Sequence, residues 1–255
     1  MPNRARYTSL SGRVVFITGG GTGIGEHLVK AFCDQGSAVA FVDIKEVESR
    51  KLCGEIESQS GRAPLFIPCD LRNIDALRDA VEEVRRALGN IAVLLNNAAD
   101  DSRHDFAEVT PEYWDDRMAV NLRHAFFAAQ AVYPQMKALG HGSIINFGSM
   151  SWMAKQGGMP GYTTSKAALH GMTSGLARDF GGENIRVNTL VPGWVMTQRQ
   201  LDLWVDEEAA KTIDINQCLA RRLMPDDIAN AAMFLSADDS AMITGQSFVV
   251  DGGWV

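Results

Sequence analysis

The amino-acid sequence predicts an α/β fold, a doubly wound parallel sheet of about seven strands with helices on both faces. Short apolar and β-branched runs alternate with longer segments of helical pattern, which is typical of a parallel sheet covered by helices. The chain has 255 residues, of which 46% are hydrophobic and 22% charged, and this suits one large domain over residues 1–255. A cluster of glycines follows the first apolar run directly, where a strand would turn into a helix.

The strands are predicted from short runs rich in valine, isoleucine and phenylalanine, which fit a buried pleated surface. The predicted strands cover residues 14–18, 38–42, 65–67, 91–95, 143–147, 185–191 and 247–250.

The helices are predicted between these strands. Asn73 is a candidate cap for one helix, and Thr110 caps another that has Pro111 at its first position. Residues 193–224 look irregular or only partly helical and are far longer than a usual connection, so we expect a substrate lid there. The predicted helices cover residues 23–35, 46–58, 74–88, 111–139, a segment that holds 162–166 and ends near 180, and 225–235.

Composition excludes several classes of function. The net charge of -7 and the pI of about 5.2 argue against a nucleic-acid partner or an anionic membrane surface. No apolar run approaches the roughly 20 residues of a membrane span, and the polar residues 1–13 lack the apolar core of a signal peptide. The four cysteines have no metal-type spacing, so we expect reduced thiols in a cytoplasmic protein without a catalytic metal.

The glycine cluster after the first strand is a candidate phosphate-binding turn. Gly19, Gly23 and Gly25 stand where the strand passes into the first helix. Glycines let the backbone approach a pyrophosphate, and the helix N-terminus offers free N–H groups and a favourable dipole. The spacing departs from the common GxGxxG pattern, and a glycine cluster by itself is also compatible with a simple turn.

Acidic residues end the second and third strands. Asp43 lies eighteen residues after Gly25, where a carboxylate can bind both ribose hydroxyls of NAD and would repel the 2′-phosphate of NADP. Lys45 is a weak counter-signal. Asp70 and Leu71 are placed to border an adenine, although a helix-entry turn explains them equally well. We therefore predict NAD as the cofactor.

A tyrosine and a lysine four residues apart are the candidate catalytic pair. Tyr162 and Lys166 share one face of a helix, because four residues make roughly one helical turn. A neighbouring ammonium favours the phenolate and lowers the pKa of the tyrosine, which gives a general base usable near neutral pH. A lone pair of this kind is usually a surface coincidence. The glycine turn and Ser149, in the expected order along the chain, argue against coincidence here.

Taken together, these motifs resemble the short-chain dehydrogenase/reductase family over nearly the whole chain, which implies a Rossmann-type fold. One departure is Ala99, where glycine is usual. The motifs that carry the resemblance are Thr18-Gly19-x-x-x-Gly23-Ile24-Gly25, Asn96-Asn97-Ala98-Ala99, Asn121, Ser149, Tyr162-x-x-x-Lys166 and Pro192-Gly193.

The resemblance implies roles for four catalytic residues. Tyr162 takes the proton of the substrate hydroxyl, Lys166 lowers its pKa and holds ribose hydroxyls, and Ser149 orients the substrate oxygen. Asn121 holds a water that links Lys166 to solvent. Thr197 is expected to contact the cofactor, with a helix cap as the alternative. The full set predicted to bind the cofactor is Gly19, Thr22, Gly23, Ile24, Gly25, Asp43, Ile44, Asp70, Leu71, Asn97, Ala98, Ala99, Tyr162, Lys166, Pro192, Gly193, Val195 and Thr197.

The substrate side is predicted at the carboxyl-end rim of the sheet, where ligands bind in open α/β folds. Indole rings there suit the C–H faces of a sugar, although they could also be lid packing. Segments 101–104, 120–124, 145–152 and 197–200 resemble bacterial sugar 1-dehydrogenases of the family, above all those similar to D-xylose 1-dehydrogenase. The residues predicted to bind substrate are Asp100, Arg103, Ser149, Ser151, Trp152, Tyr162, Trp194, Gln198 and Arg199.

The predicted function is oxidation of an aldose at C1 to its lactone. The alternatives are another short-chain alcohol or polyol dehydrogenase, a 3-oxoacyl reductase, or a non-catalytic NAD-binding regulatory protein. The long helices carry more apolar residues than one buried face needs, which suggests a subunit interface, and the resemblance implies a homotetramer. The apolar residues concerned are Phe126, Phe127, Val132, Met136, Leu169, Met172 and Leu176.

Overall fold

The computed structural model describes residues 5–255, so the first four residues of the polar N-terminus lie outside it. Its centre is a seven-stranded sheet in which each paired strand is parallel to its neighbour, in the order β3-β2-β1-β4-β5-β6-β7. The predicted fold class is confirmed. The strands are β1 (Val14–Thr18), β2 (Ala38–Asp43), β3 (Leu65–Pro68), β4 (Ile91–Asn96), β5 (Gly142–Phe147), β6 (Ile185–Pro192) and β7 (Ser247–Val250).

The helices follow the predicted segments closely. Asn73 caps its helix by accepting from the backbone N–H groups of Asp75 and Ala76, and Thr110 accepts from that of Tyr113. No helix among residues 5–255 is long and apolar enough to cross a membrane. The helices are α1 (Gly23–Asp34), α2 (Glu46–Ser60), α3 (Ile74–Leu88), α4 (Pro111–Met118), α5 (His124–Leu139), α6 (Pro160–Phe180), α7 (Gln198–Leu203), α8 (Glu207–Asn216) and α9 (Pro225–Ser236).

Two apolar cores lie on opposite faces of the sheet. Successive side chains of a strand point to opposite faces, so Val15 and Ile17 of β1 enter one core while Val14 and Phe16 enter the other. The first core includes residues of α1, α2 and α9, and the second includes residues of α3, α5 and α6. This arrangement explains why every residue of β1 is buried and why the strand reads as a continuous apolar run.

The strand order places a crevice at the carboxyl ends of β1 and β4. After β1 the chain builds β2 and β3 on one side, and it then returns to start β4 on the other side of β1. Loops that leave neighbouring strands in opposite directions open a crevice at this switch point, which is where open α/β sheets bind ligands. The predicted lid, residues 193–224, contains α7 and α8 and is only partly helical, as expected.

The helix predicted over 111–139 is not a single α-helix. A π-helical turn, Ala119–Arg123, separates α4 from α5 and carries the buried Asn121. Such a turn adds one residue to a helical turn and is frequent at functional sites. The cap at Thr110 and the length of the segment predicted one continuous helix, and neither marks such a turn.

The proposed second apolar face of the long helices is mostly internal. Val132, Met136 and Leu169 are almost fully buried and Leu176 is only 8% exposed, all inside this chain's own core. Phe126 is 42% exposed. From the sequence, these residues exceeded what one buried helix face needs. The depth to which the helices are buried is a property of the folded chain.

Candidate active site

One cleft of about 1030 Å³ lies at the switch point between β1 and β4. Every residue predicted to bind the cofactor lines it, and so do Ser149 and Tyr162. A cleft of this size suits a small-molecule ligand. The glycine turn and the tyrosine–lysine pair, more than one hundred residues apart in sequence, therefore face one space.

Several glycines of the turn at the end of β1 are required by their backbone angle or by close neighbours. Gly19 and Gly23 have φ angles of +67° and +59°, which glycine adopts without strain. A Cβ atom on Gly25 would lie 1.8 Å from the carbonyl oxygen of Gly19, and one on Gly21 would lie 2.3 Å from the hydroxyl of Ser49. This tight turn brings backbone directly to the cleft at the start of α1, as a phosphate cradle requires.

Asp43 closes the other side of the glycine turn. Its carboxylate accepts hydrogen bonds from the backbone N–H groups of Gly21, at 2.8 Å, and Lys45, at 2.9 Å. An ionised carboxylate offers about four acceptor positions, so capacity remains for ribose hydroxyls. The acid predicted from spacing alone therefore lies beside the turn it was predicted to serve.

The loop after β4 is fixed to the first strand and to the π-helical turn. Thr18 Oγ1 accepts from the backbone N–H groups of Asn97 and Ala98, and Asn97 Nδ2 donates to the carbonyl oxygens of Thr18 and Gly19. The Asn121 side chain holds both backbone groups of Asp100, accepting from its N–H at 2.8 Å and donating to its C=O at 3.1 Å. Asn121 is 1% exposed, and its two hydrogen bonds fix the backbone of the loop at Asp100.

Asp100 is committed to an ion pair. Its carboxylate lies 2.6 Å from Arg117 Nη1. Burial alone would raise the pKa of Asp100, but hydrogen bonds from Ser102 and Arg117 outweigh it and hold that pKa below its ordinary value. Asp100 therefore stays ionised and anchors the loop at the edge of the cleft.

The pKa of Tyr162 moves opposite to the expected direction. Burial raises it from 10.0 to about 12, although hydrogen bonding with Ser149 acts to lower it. The neighbouring ammonium predicted a lowered pKa, because a positive charge favours the phenolate. In the structure, removal of the phenol from water is the larger effect, since desolvation disfavours the charged phenolate.

Lys166 is itself buried, which weakens the effect assigned to it. Only 1% of the residue is exposed, and its Nζ donates to the carbonyl oxygen of Phe147 at 2.6 Å. Nζ also lies 5.5 Å from the centre of the Tyr162 ring. Burial lowers the pKa of Lys166 to about 7, with the negative charge of Asp101 opposing the shift. Near neutral pH this lysine is therefore only partly charged.

The buried lysine predicts a pH-dependent stability. Between about 7 and the 10.5 of an unperturbed lysine, the unfolded chain binds the Lys166 proton more tightly than the folded chain does. The free energy of unfolding should rise with pH across this window, by up to about 1.4 kcal/mol per pH unit. Urea denaturation of wild type and Lys166→Met between pH 7 and 10 measures this contribution, which the variant should lack. The exposed Lys51→Met variant should keep it, and equal slopes in all three proteins would contradict the prediction.

Trp152 lies apart from the other predicted substrate residues, and its contact with substrate stays a prediction. Its ring packs edge-on against His170, with ring centres 5.1 Å apart, and the residue does not line the cleft. The other predicted substrate residues do line it. Trp152 follows a strand end and lies in a short 3-10 turn, Met150–Trp152.

Thr197 and Asp70 both show the structural role that was the alternative to cofactor binding, and both also line the cleft. Thr197 caps α7 by accepting from the backbone N–H of Gln200, and it also lines the cleft. Asp70 accepts from the backbone N–H of Arg72 in the turn after β3, pairs with the Arg72 guanidinium, and lines the cleft as well. The structural roles are observed, and cofactor contacts by these residues stay predictions.

Asp101 and Gln200 also line the cleft, although neither is among the residues predicted to bind substrate. Gln200 Nε2 donates to Asp101 Oδ2 at 2.7 Å, although the residues are 99 positions apart. Sequence spacing carries no signal for such a long-range pair. Within the described part of the chain, no group of three histidine, cysteine or acidic side chains could hold a metal ion.

Comparisons with known proteins agree with this geometry. The family model described as enoyl-(acyl carrier protein) reductase matches residues 19–255. The chain is 46% identical over 249 residues to the probable galactose dehydrogenase GalD of Rhizobium meliloti, covering 98% of this chain and 97% of the relative. It is 44% identical over 250 residues to a D-xylose 1-dehydrogenase of Caulobacter vibrioides, covering 98% of each. A solved short-chain type dehydrogenase/reductase from Mycobacterium ulcerans superimposes with a TM-score of 0.91 at 25% identity, covering 96% of this chain and 90% of that one.

Proposed function

This chain belongs to the short-chain dehydrogenase/reductase family of oxidoreductases, and we propose that it is an NAD-dependent dehydrogenase that oxidises an aldose at C1 to its lactone. The observation that carries the proposal is the single cleft in which the glycine turn, Asp43 and the Ser149–Tyr162–Lys166 group face one another. Two relatives similar over 98% of this chain are named as sugar dehydrogenases, which supports a sugar as the substrate.

The residues present fit a dinucleotide. The glycine turn offers backbone without side chains at the start of α1, where the helix dipole favours a pyrophosphate. Asp43 beside this turn would bind the adenosine ribose, and Asp70 and Leu71 would border the adenine. NAD, when bound, supplies the hydride acceptor. The remaining chemistry belongs to side chains of this chain.

Tyr162 is proposed as the general base. Its phenolate would take the proton from the substrate hydroxyl, while Ser149 donates to the same oxygen and orients it. Phe147 holds Lys166 near the phenol, and a protonated Lys166 would favour the phenolate form of Tyr162. Asn121 is proposed to hold a water of the proton relay and also to position the loop after β4, since its side chain fixes the backbone of Asp100.

A polyhydroxylated substrate suits the polar groups of the cleft. Buried hydrogen-bonding groups discriminate strongly between substrates, because the wrong one leaves them unpaired. Loss of hydride from C1 and of the proton from its hydroxyl gives a lactone, which then hydrolyses to the aldonic acid. The polar residues proposed to face the sugar are Asp100, Arg103, Ser151, Gln198 and Arg199.

A substrate panel tests the proposal. Neutral aldoses, polyols and a 3-hydroxyacyl thioester are each offered with NAD and with NADP, and reduced cofactor is followed by absorbance. We expect an aldose with NAD to give the highest kcat/KM. Preference for the thioester with NADP would favour the reductase alternative. Binding of NAD without turnover of any substrate would favour a regulatory protein.

The proposed assembly is a homotetramer in the cytoplasm. The four cysteines are free thiols, which suits a reducing compartment, and the tetramer rests on the family. Size-exclusion chromatography with light scattering should give about four times the 27.8 kDa of one chain. A monomeric mass at micromolar concentration would contradict the assembly and leave the proposed chemistry intact.

A further inference from the structure

The substrate lid is tied to the loop after β4 by the side chain of Asp101. Gln200 Nε2 donates to Asp101 Oδ2 at 2.7 Å, and Arg199 Nε donates to Asp101 Oδ1 at 3.3 Å. Gln200 in turn accepts from Trp194 Nε1 at 3.0 Å. One carboxylate therefore joins two residues of α7 to the loop, and Gln200 extends the contact to Trp194 at the base of the lid.

A second contact holds the far end of α7 to the same loop. The guanidinium of Arg103 lies over the ring of Trp204, 5.0 Å from its centre. Cation–π pairs of this kind add modest stability at partly exposed sites. Asp101 and Arg103 thus hold both ends of one short helix, so the position of that helix depends on segment 100–104.

Asp101 also faces the reaction site. Its side chain is only 20% exposed and lines the cleft together with Ser149 and Tyr162. Its charge acts to raise the pKa of both Tyr162 and Lys166, so the carboxylate is close enough to influence the catalytic pair. The lid takes one hydrogen bond on each carboxylate oxygen, and each oxygen can accept one more.

We infer that Asp101 is a specificity-determining residue whose carboxylate accepts a hydrogen bond from a substrate hydroxyl while it holds α7 over the cleft. The inference rests on the proposed function. A hydroxyl bound in this way connects substrate recognition to the position of the lid, because both use the same carboxylate. An aldose that lacks this hydroxyl loses a charge-assisted hydrogen bond, and a sugar acid that places a carboxylate there is repelled.

The test is a double-mutant cycle in which one change is made in the enzyme and the other removes a hydroxyl from the substrate. The best neutral aldose of the panel and its monodeoxy derivatives are compared in wild type, Asp101→Ala and Gln200→Ala. In wild type, one deoxy position should lower kcat/KM by about 10- to 100-fold more than the others, as expected for a hydrogen bond to a charged group. In Asp101→Ala that extra penalty should disappear. Gln200→Ala keeps the carboxylate, so it should retain the penalty and raise the KM of the sugar.

Asp105→Ala is the matched control. Asp105 is an exposed acid of the same loop, where it caps a 3-10 turn by accepting from Ala107 N–H. Removing its charge should leave every deoxy penalty unchanged. A penalty that also disappears in this control would mean that loop charge in general, and not the Asp101 contact, sets the selectivity.

The lid role has a readout that needs no turnover. Amide hydrogen exchange of residues 198–203 in the substrate-free protein should become about 10-fold faster in Asp101→Ala and stay unchanged in Asp105→Ala. Unchanged exchange in Asp101→Ala would overturn the lid contact. If the wild type is active and Asp101→Ala keeps the deoxy penalties, the proposed hydrogen bond from the substrate hydroxyl to Asp101 is wrong. The lid contact and the proposed function would then still stand. A wild type that oxidises no neutral aldose or polyol would overturn the proposed function and this reading with it.

Discussion

Replacing Tyr162 with phenylalanine is expected to lower kcat by about 10²- to 10⁴-fold, the usual contribution of a positioned general base. The change removes one hydroxyl and keeps the ring, so the packing beside Ser149 and Lys166 is preserved. In wild type, kcat/KM should rise with pH, because burial holds the pKa of Tyr162 near 12 and the active form is the phenolate. The variant should lose this rise. Steady-state rates between pH 6 and 10 measure both effects.

A second tyrosine provides the control. Tyr133 OH donates to Glu183 at 2.9 Å, and Tyr133 does not line the cleft. Tyr133→Phe should therefore keep the wild-type rate and pH profile. NAD affinity, measured by calorimetry, should change little in Tyr162→Phe, since the proposed loss lies in proton transfer. A Tyr162→Phe protein with kcat within threefold of wild type would contradict the role of the phenol as base.

The fold was predictable because its signals are local. Strands buried on both faces have continuous apolar runs, and caps such as Asn73 and Thr110 mark helix starts by side-chain chemistry that acts within three residues. The π-helical turn at Ala119–Arg123 has no comparable signal, because no single residue type marks it as a capping residue marks a helix start. The order and type of the helices and strands could therefore be predicted from the sequence, whereas the π-helical turn could not.

The candidate site was predictable for residues in regular helices or at strand ends, because their position in the element fixes where the side chain lies. Tyr162 and Lys166 share a helical face, and Asp43 ends a strand beside the glycine turn, so regular geometry brings them to the cleft. Trp152 lies outside the cleft lining, in a short 3-10 turn where its ring packs against His170, and the sequence pattern does not give the direction of such a turn. The contact of Asp101 with Gln200 was missed because it depends on how a loop and a lid meet after folding. The raised pKa of Tyr162 was missed because the amount of burial is a property of the folded chain.

Replacing Asp43 is expected to change cofactor preference by about 10²- to 10⁴-fold. Two hydrogen bonds from ribose hydroxyls to a carboxylate contribute about 1.5–3 kcal/mol each, and the same charge repels the 2′-phosphate of NADP. The kcat/KM for NAD should therefore fall far more in Asp43→Ala than that for NADP. Steady-state kinetics with each cofactor at saturating substrate measures the ratio.

The structure shows why alanine alone is not a sufficient test of Asp43. The carboxylate also accepts a hydrogen bond from Gly21 N–H at 2.8 Å. Its removal would free the glycine turn and would therefore weaken the binding of both NAD and NADP. Asp43→Asn separates the two effects, because its amide oxygen can still accept from Gly21 while the charge is lost. We expect Asp43→Asn to raise the NADP/NAD ratio with a smaller overall loss than Asp43→Ala. Equal losses with the two cofactors in both variants would assign Asp43 to the support of the turn and not to recognition of the ribose.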